Sequence, residues 1–104
     1  MGNSAFTGSG TSGGASMAVA YISANTTAAK NTLYVLTATL TLTLPASPSE
    51  TDTVWISNLS GMTTATIARN GSKIMGLAED LTIDIANAGI QLVYTNATYG
   101  WVII

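Results

Sequence analysis

Residues Thr39 to Leu44 read Thr-Leu-Thr-Leu-Thr-Leu and end at Pro45. A strict two-residue alternation is the period of a β-strand buried on one side, here with leucines on one face and threonines on the other. The same rule recurs along the chain. Leu81, Ile83 and Ile85 alternate with Thr82 and Asp84, and Ile90, Leu92 and Tyr94 alternate with Gln91 and Val93. No stretch carries a convincing helical period, although Thr26 to Lys30 has room for one turn. The pattern predicts an all-β domain.

Turn chemistry divides the pattern into strands. Met17, Val19 and Tyr21 open the first, and Asn25 to Asn31 supplies a polar turn. Leu33, Val35 and Thr37 are expected to continue into the Thr-Leu run. Pro45 lacks a ladder donor and Pro48 follows closely, which makes Ala46 to Asp52 a loop. Val54 to Ile56 resumes a strand, and Thr64 to Arg69 carries the next alternation. Asn70-Gly71 is the strongest hairpin signal, because both residues tolerate the positive φ of a two-residue type I′ turn. Turns at Asn87 to Gly89 and Asn96 to Gly100 separate the last strands, and the chain ends on Trp101-Val102-Ile103-Ile104. About nine short strands at this spacing predict an antiparallel β-sandwich, jelly-roll-like in character, over residues 15–104. Residues 1–14 hold Gly2, Gly8, Gly10, Gly13 and Gly14 among Ser and Thr. Such a composition builds no core and predicts a flexible arm, with Phe6 as its anchor on a neighbouring subunit.

Composition removes most chemistry. Charged residues are only 8% of the 104, with 3 Lys and Arg against 5 Asp and Glu, so water is met mainly by Thr, Ser, Asn and Gly. A surface so poor in charge repels neighbours weakly and suits a subunit that packs against other protein. Too few cations exist for a stripe along phosphates, and the net charge of −2 opposes nucleic-acid binding. Cysteine and histidine are both absent, which excludes thiolate and Ser-His-Asp mechanisms and the commonest metal ligands; no cofactor is implied. The start, Met1-Gly2-Asn3-Ser4-Ala5-Phe6, lacks the basic and apolar regions of a secretory signal. It also has Phe6 where a myristoylation motif needs Ser or Thr. No apolar run approaches the length that spans a bilayer, so no membrane partner is expected.

Candidate residues remain. Glu79, Asp80 and Asp84 could serve as paired carboxylates, but neighbours on an extended strand point apart, so solvated charge before a strand is the better reading. Asp84 is placed to pair with Lys73 or Arg69 across the sheet. Tyr21, Tyr34, Tyr94, Tyr99, Trp55 and Trp101 could build a sugar platform. The tryptophans fit packing better, and Tyr99, in a turn, is the expected exposed recognition residue. Trp101 and Ile103, on the uncharged terminal strand, are expected either inside their own sheet or at a subunit interface. The acceptor patterns at Asn25, Asn58, Asn70 and Asn96 are as frequent as chance gives in a chain rich in Asn, Thr and Ser.

Four pieces occur in order: Leu42-Thr43-Leu44-Pro45-Ala46-Ser47-Pro48, Thr66-Ile67-Ala68-Arg69-Asn70-Gly71-Ser72-Lys73-Ile74, Ala78-Glu79-Asp80-Leu81-Thr82, and Leu92-Val93-Tyr94 through Gly100-Trp101. Over about Asn31 to Trp101 they resemble a β-domain recurrent in tailed-bacteriophage virion proteins, among them tail-fibre, appendage and capsid-associated chains. Related chains often carry glycine before the aspartate where Thr51 precedes Asp52 here. The resemblance implies a non-enzymatic virion protein, with no catalytic residues to carry over. A short arm on one small domain looks like a capsid decoration, or cement, protein at the particle surface on the head. Its implied partners are the major capsid protein and itself, as a trimer. The alternative is a tail-fibre, head-fibre or appendage module that binds host glycan, and a glycan depolymerase using Glu79 or Asp80 is a third reading.

Overall fold

The computed structural model describes residues 17–59, 61 and 64–104. The proposed arm over residues 1–14, and Phe6 with it, lies outside the described residues.

Nine strands are formed and no helix among the described residues. They are β1 (Ala18–Ile22), β2 (Thr26–Thr27), β3 (Thr32–Leu36), β4 (Thr41–Thr43), β5 (Thr53–Ser57), β6 (Ala65–Ala68), β7 (Leu81–Ile83), β8 (Gly89–Tyr94) and β9 (Trp101–Ile103). They make two sheets, a five-stranded one in the order β1-β3-β5-β8-β9 and a four-stranded one in the order β2-β4-β6-β7.

The expected antiparallel arrangement is corrected by the pairing. The chain passes three times from the five-stranded to the four-stranded sheet, as β1 to β2, β3 to β4 and β5 to β6, and each pass stacks parallel on the one before. Only β7, β8 and β9 reverse, pairing antiparallel with β6, β5 and β8. Alternation reports which face a side chain takes, and parallel and antiparallel neighbours share that period. A parallel connection needs a crossover, and here the crossover is a strand in the other sheet instead of a helix.

One core lies between the sheets. Tyr34, Leu36, Val54, Ile56, Leu92 and Trp101 enter it from one, and Leu42, Ala65, Ile67 and Ile83 from the other, with Leu40 and Leu44 flanking β4. Aligned registers set these side chains in rows across the strands, as in Ala20, Tyr34, Ile56 and Ile90. The Thr-Leu alternation behaves as expected: Leu40, Leu42 and Leu44 are buried, and Thr41 and Thr43 are half-exposed.

Two further expectations change. The strand through Leu33 does not run on into Leu44, because the chain turns a corner between Leu36 and Thr41 and changes sheet. The Thr37 N–H and hydroxyl fix that corner by donating to the Ile22 carbonyl at 2.9 Å each. The Asn70-Gly71 turn forms as predicted, with φ of 50° and 88° and the Ser72 N–H on the Arg69 carbonyl at 3.2 Å. It does not close a hairpin, however. β6 and β7 are joined by the longer segment 69–80, held at its base where the Arg69 N–H donates to Asp80 Oδ1 at 2.9 Å.

Candidate functional site

The edges of the five-stranded sheet position what can meet another molecule. On the β9 side, the segment 73–77 runs along the outer edge of the strand. The Trp101 N–H donates to the Lys73 carbonyl at 2.8 Å, and the Met75 N–H to the Trp101 carbonyl at 2.7 Å. Met75 (φ 52°) and Gly76 (φ 77°) turn the chain back, and the Gly76 N–H donates to the Tyr99 carbonyl at 2.8 Å. Gly100 makes this approach possible: a Cβ there would stand 1.9 Å from the Lys73 carbonyl oxygen.

Folding the edge over in this way turns apolar side chains outward. Met75, Leu77 and Tyr99 are all more than half exposed. The Ile103 N–H faces Met75 Sδ at 3.3 Å, which brings the terminal strand against the same surface. Beside it lies an open groove, lined chiefly by Leu81, Ile83, Ile85, Ala88, Ile90 and Ile103. Leu81 also borders a second hollow beside Met75 and Leu77, with Glu79 and Asp80 on its rim, so the two hollows adjoin. Contiguous apolar surface of this kind marks a contact site more often than an isolated exposed side chain does.

The structure separates the candidates named from sequence. Trp101 has no accessible surface and packs edge-on against Tyr94, with ring centroids 5.5 Å apart. It belongs to this chain's own core, which removes it as a subunit-contact residue. Its indole N–H finds no acceptor among the described residues. Ile103, two residues on and facing the same way, is 37% exposed because the strand runs out past the core into the groove. Tyr99 is 59% exposed in its turn, as expected.

The acids are not gathered. Asp80 holds the Arg69 backbone, while Glu79 and Asp84 are exposed. Among the described residues no group of three or more His, Cys, Asp or Glu could hold a metal ion. The expected pairing of Asp84 with Lys73 or Arg69 is not found among them either, since the Arg69 guanidinium turns to the Ser72 carbonyl at 3.3 Å. An ion pair joins Lys30 and Asp52 instead, at 4.0 Å.

The asparagines carry structure that sequence reading missed. Asn25 Oδ1 accepts from the Thr41 N–H, and Asn70 Nδ2 donates to the Leu44 carbonyl. Asn96 Oδ1 takes the N–H groups of Thr98 and Tyr99, both at 2.9 Å. Asn58 is fully buried and donates from Nδ2 to the Ile85 carbonyl at 3.3 Å. The available signal was the placement of each asparagine at a strand end, where its side chain can stand in for a missing backbone partner.

No protein-family model matches this chain, and no curated protein matches it significantly. What is shown is an all-β chain of two mixed sheets around one core, with an apolar surface at its β9 edge.

Proposed function

We propose that this chain is a structural protein of a tailed-phage particle, a decoration protein on the outside of the head that bridges capsid subunits. The observation that carries the reading is the apolar surface formed by Met75, Leu77, Tyr99, Ile103 and the adjoining groove, on a chain with only 8% charged residues. Burying such a surface across neighbouring capsid subunits stabilises the assembled shell by mass action, since the protein binds the assembled state alone. The mechanism is mechanical and needs no cofactor or catalytic group. In this reading the two sheets act as the leaves of a β-sandwich. The parallel passes favour that description over a jelly roll, whose Greek keys are antiparallel.

A second reading, glycan recognition at a fibre, rests on the exposure of Tyr99 beside Met75 and Leu77, because an aromatic face can stack on a sugar. The depolymerase reading has less support, since Asp80 is engaged by the Arg69 backbone.

Gold-labelled antibody against this chain on intact particles tests the proposal. Label spread over heads supports decoration. Label confined to tail tips or fibres replaces it with host recognition, and particles without label refute both. Replacing Met75 and Leu77 by glutamate then tests the surface itself. Both side chains are exposed, so the fold should persist while attachment to the head is lost.

A further inference from the structure

The opposite edge of the five-stranded sheet is unlike the β9 edge. β1 carries Ala18-Val19-Ala20-Tyr21-Ile22, without a charge, a proline or a bulge, and those are the devices by which natural sheets protect an edge. Two bonds fix which groups point inward: the Ala18 N–H donates to the Asn31 carbonyl at 3.1 Å, and the Ile22 carbonyl accepts from Thr37 at 2.9 Å. In a parallel ladder the residues that face the neighbour alternate with those that face away. Ala18, Ala20 and Ile22 therefore serve β3, and the N–H and C=O groups of Val19 and Tyr21 point out of the sheet.

The side chains repeat the message. Val19 is 51% and Tyr21 74% exposed on the outer face. Ala20 and Ile22 pack on the core but are only partly buried, because the core ends at β1 with nothing among the described residues beyond it. Both the ladder and the core stop there unfinished.

We propose that a second copy of this chain completes this edge, β1 pairing with β1 across a two-fold axis at Ala20. A closed pair of identical chains meets through the same patch on each, and a two-fold through the edge of a sheet sets the two edge strands antiparallel. Centred on Ala20, the pairing places Val19 directly opposite the second copy's Tyr21. These are the residues whose backbone groups point outward, so each pair exchanges both of its hydrogen bonds. The outer face gains a valine-on-tyrosine contact on either side of the axis, a favourable cross-strand pair, and no like charges meet. The two sheets become one, with Ala20 set opposite the second copy's Ala20 and Ile22 opposite its Ala18, so that the inner face is continued across the axis. Residues 1–14 are a poorer occupant, because five glycines in a Ser- and Thr-rich stretch are weak strand formers. The pairing gives a dimer in place of the trimer that the phage resemblance implies, and it stands or falls independently of where the protein works.

Mass measurement in solution by sedimentation or light scattering decides the matter. The full chain should be a dimer at micromolar concentration. Val19→Lys with Tyr21→Lys, which sets like charges opposite one another at positions exposed in the single chain, should raise the dimer Kd by at least about tenfold while leaving the circular dichroism unchanged. The register has its own probe. In a chain without cysteine, Ala20→Cys should cross-link to itself under mild oxidation, because a non-hydrogen-bonded antiparallel pair has Cα atoms about 4.5 Å apart, within disulfide reach. Tyr21→Cys, offset from its own copy, should not cross-link. A monomer at all concentrations overturns the proposal, as does a trimer that survives the lysines. A monomer that dimerises only after deletion of residues 1–14 also overturns it, by showing that the chain covers its own edge.

Discussion

The two edges of the five-stranded sheet handle the same problem differently. At β9 the segment 73–77 folds back and takes up the outward groups of Trp101, and the strand end sinks an indole into the core. At β1 no described residue takes up the outward groups of Val19 and Tyr21, and among the described residues no large side chain seals the core. An edge finished within the chain commits its residues to stability. An open edge keeps its residues cheap to change and makes them useful for association. Substitutions that disturb the backbone contacts or buried side chains of the β9 edge should therefore cost folding energy, whereas substitutions at Val19 and Tyr21 should cost pairing with a second copy and leave the single chain folded.

The sharpest way to break this contrast is Gly100→Ala. The new Cβ would meet the Lys73 carbonyl 1.9 Å away and would sit at φ 72°, so segment 73–77 must leave β9. We expect a loss of at least about 3 kcal/mol, measured by urea unfolding, which is much of the stability of an ordinary small domain. Trp101→Ala should cost about 3–5 kcal/mol through the cavity it leaves. Trp101→Phe should cost clearly less, because it also removes an indole N–H that has no acceptor among the described residues. A phenylalanine variant as unstable as the alanine variant would show that the indole nitrogen has a partner after all.

A smaller effect belongs to Asp80→Ala, which frees the Arg69 N–H at the base of segment 69–80 and should cost about 1 kcal/mol. At the open edge, Tyr21→Ser should change the unfolding free energy of the single chain by no more than about 0.5 kcal/mol. If it costs as much as a change at β9, the contrast between the edges is wrong. Hydrogen exchange sharpens the same point without mutation: the Val19 and Tyr21 amides should exchange fast on dilution, and the Trp101 amide, held by Lys73, slowly.

The corner at Thr37 explains what was legible in sequence and what was not. Tyr34, Leu36, Leu40, Leu42 and Leu44 all face one core, although the chain changes sheet partway through that series. Periodicity identified Leu40, Leu42 and Leu44, but Leu33 and Val35, read as the strand before them, lie on the opposite phase from Tyr34 and Leu36, and nothing in the alternation marked the corner. Strand direction was hidden for a related reason: Ile56 has a parallel neighbour in Tyr34 and an antiparallel one in Ile90, and its own alternation is the same toward both. Turn chemistry was readable at Asn70-Gly71 because it is local, whereas the return from that turn depends on Asp80, ten residues away from Asn70. At the surface, the exposure of Tyr99 followed from its turn. The joining of Met75 and Leu77 to Ile103 did not, because it is made by contacts between distant parts of the chain. Trp101 illustrates the converse. Its place on an apolar terminal strand was plain, but whether that strand lay inside or outside depended on segment 73–77, which carries no strand signal.

The parallel passes carry one more implication, for how such a protein can vary in length. Ala18 pairs with Thr32, and Thr32 in turn with Val54, so the second circuit of the chain is longer than the first while the ladder keeps its register. The surplus is spooled out between β4 and β5, where Ala46, Ser47, Ser49 and Glu50 lie exposed. Because lengthening a loop costs only about 0.6 kcal/mol for each doubling, that bend is where foreign peptide can be grafted, or where evolution can write new sequence, with the rows of the core undisturbed.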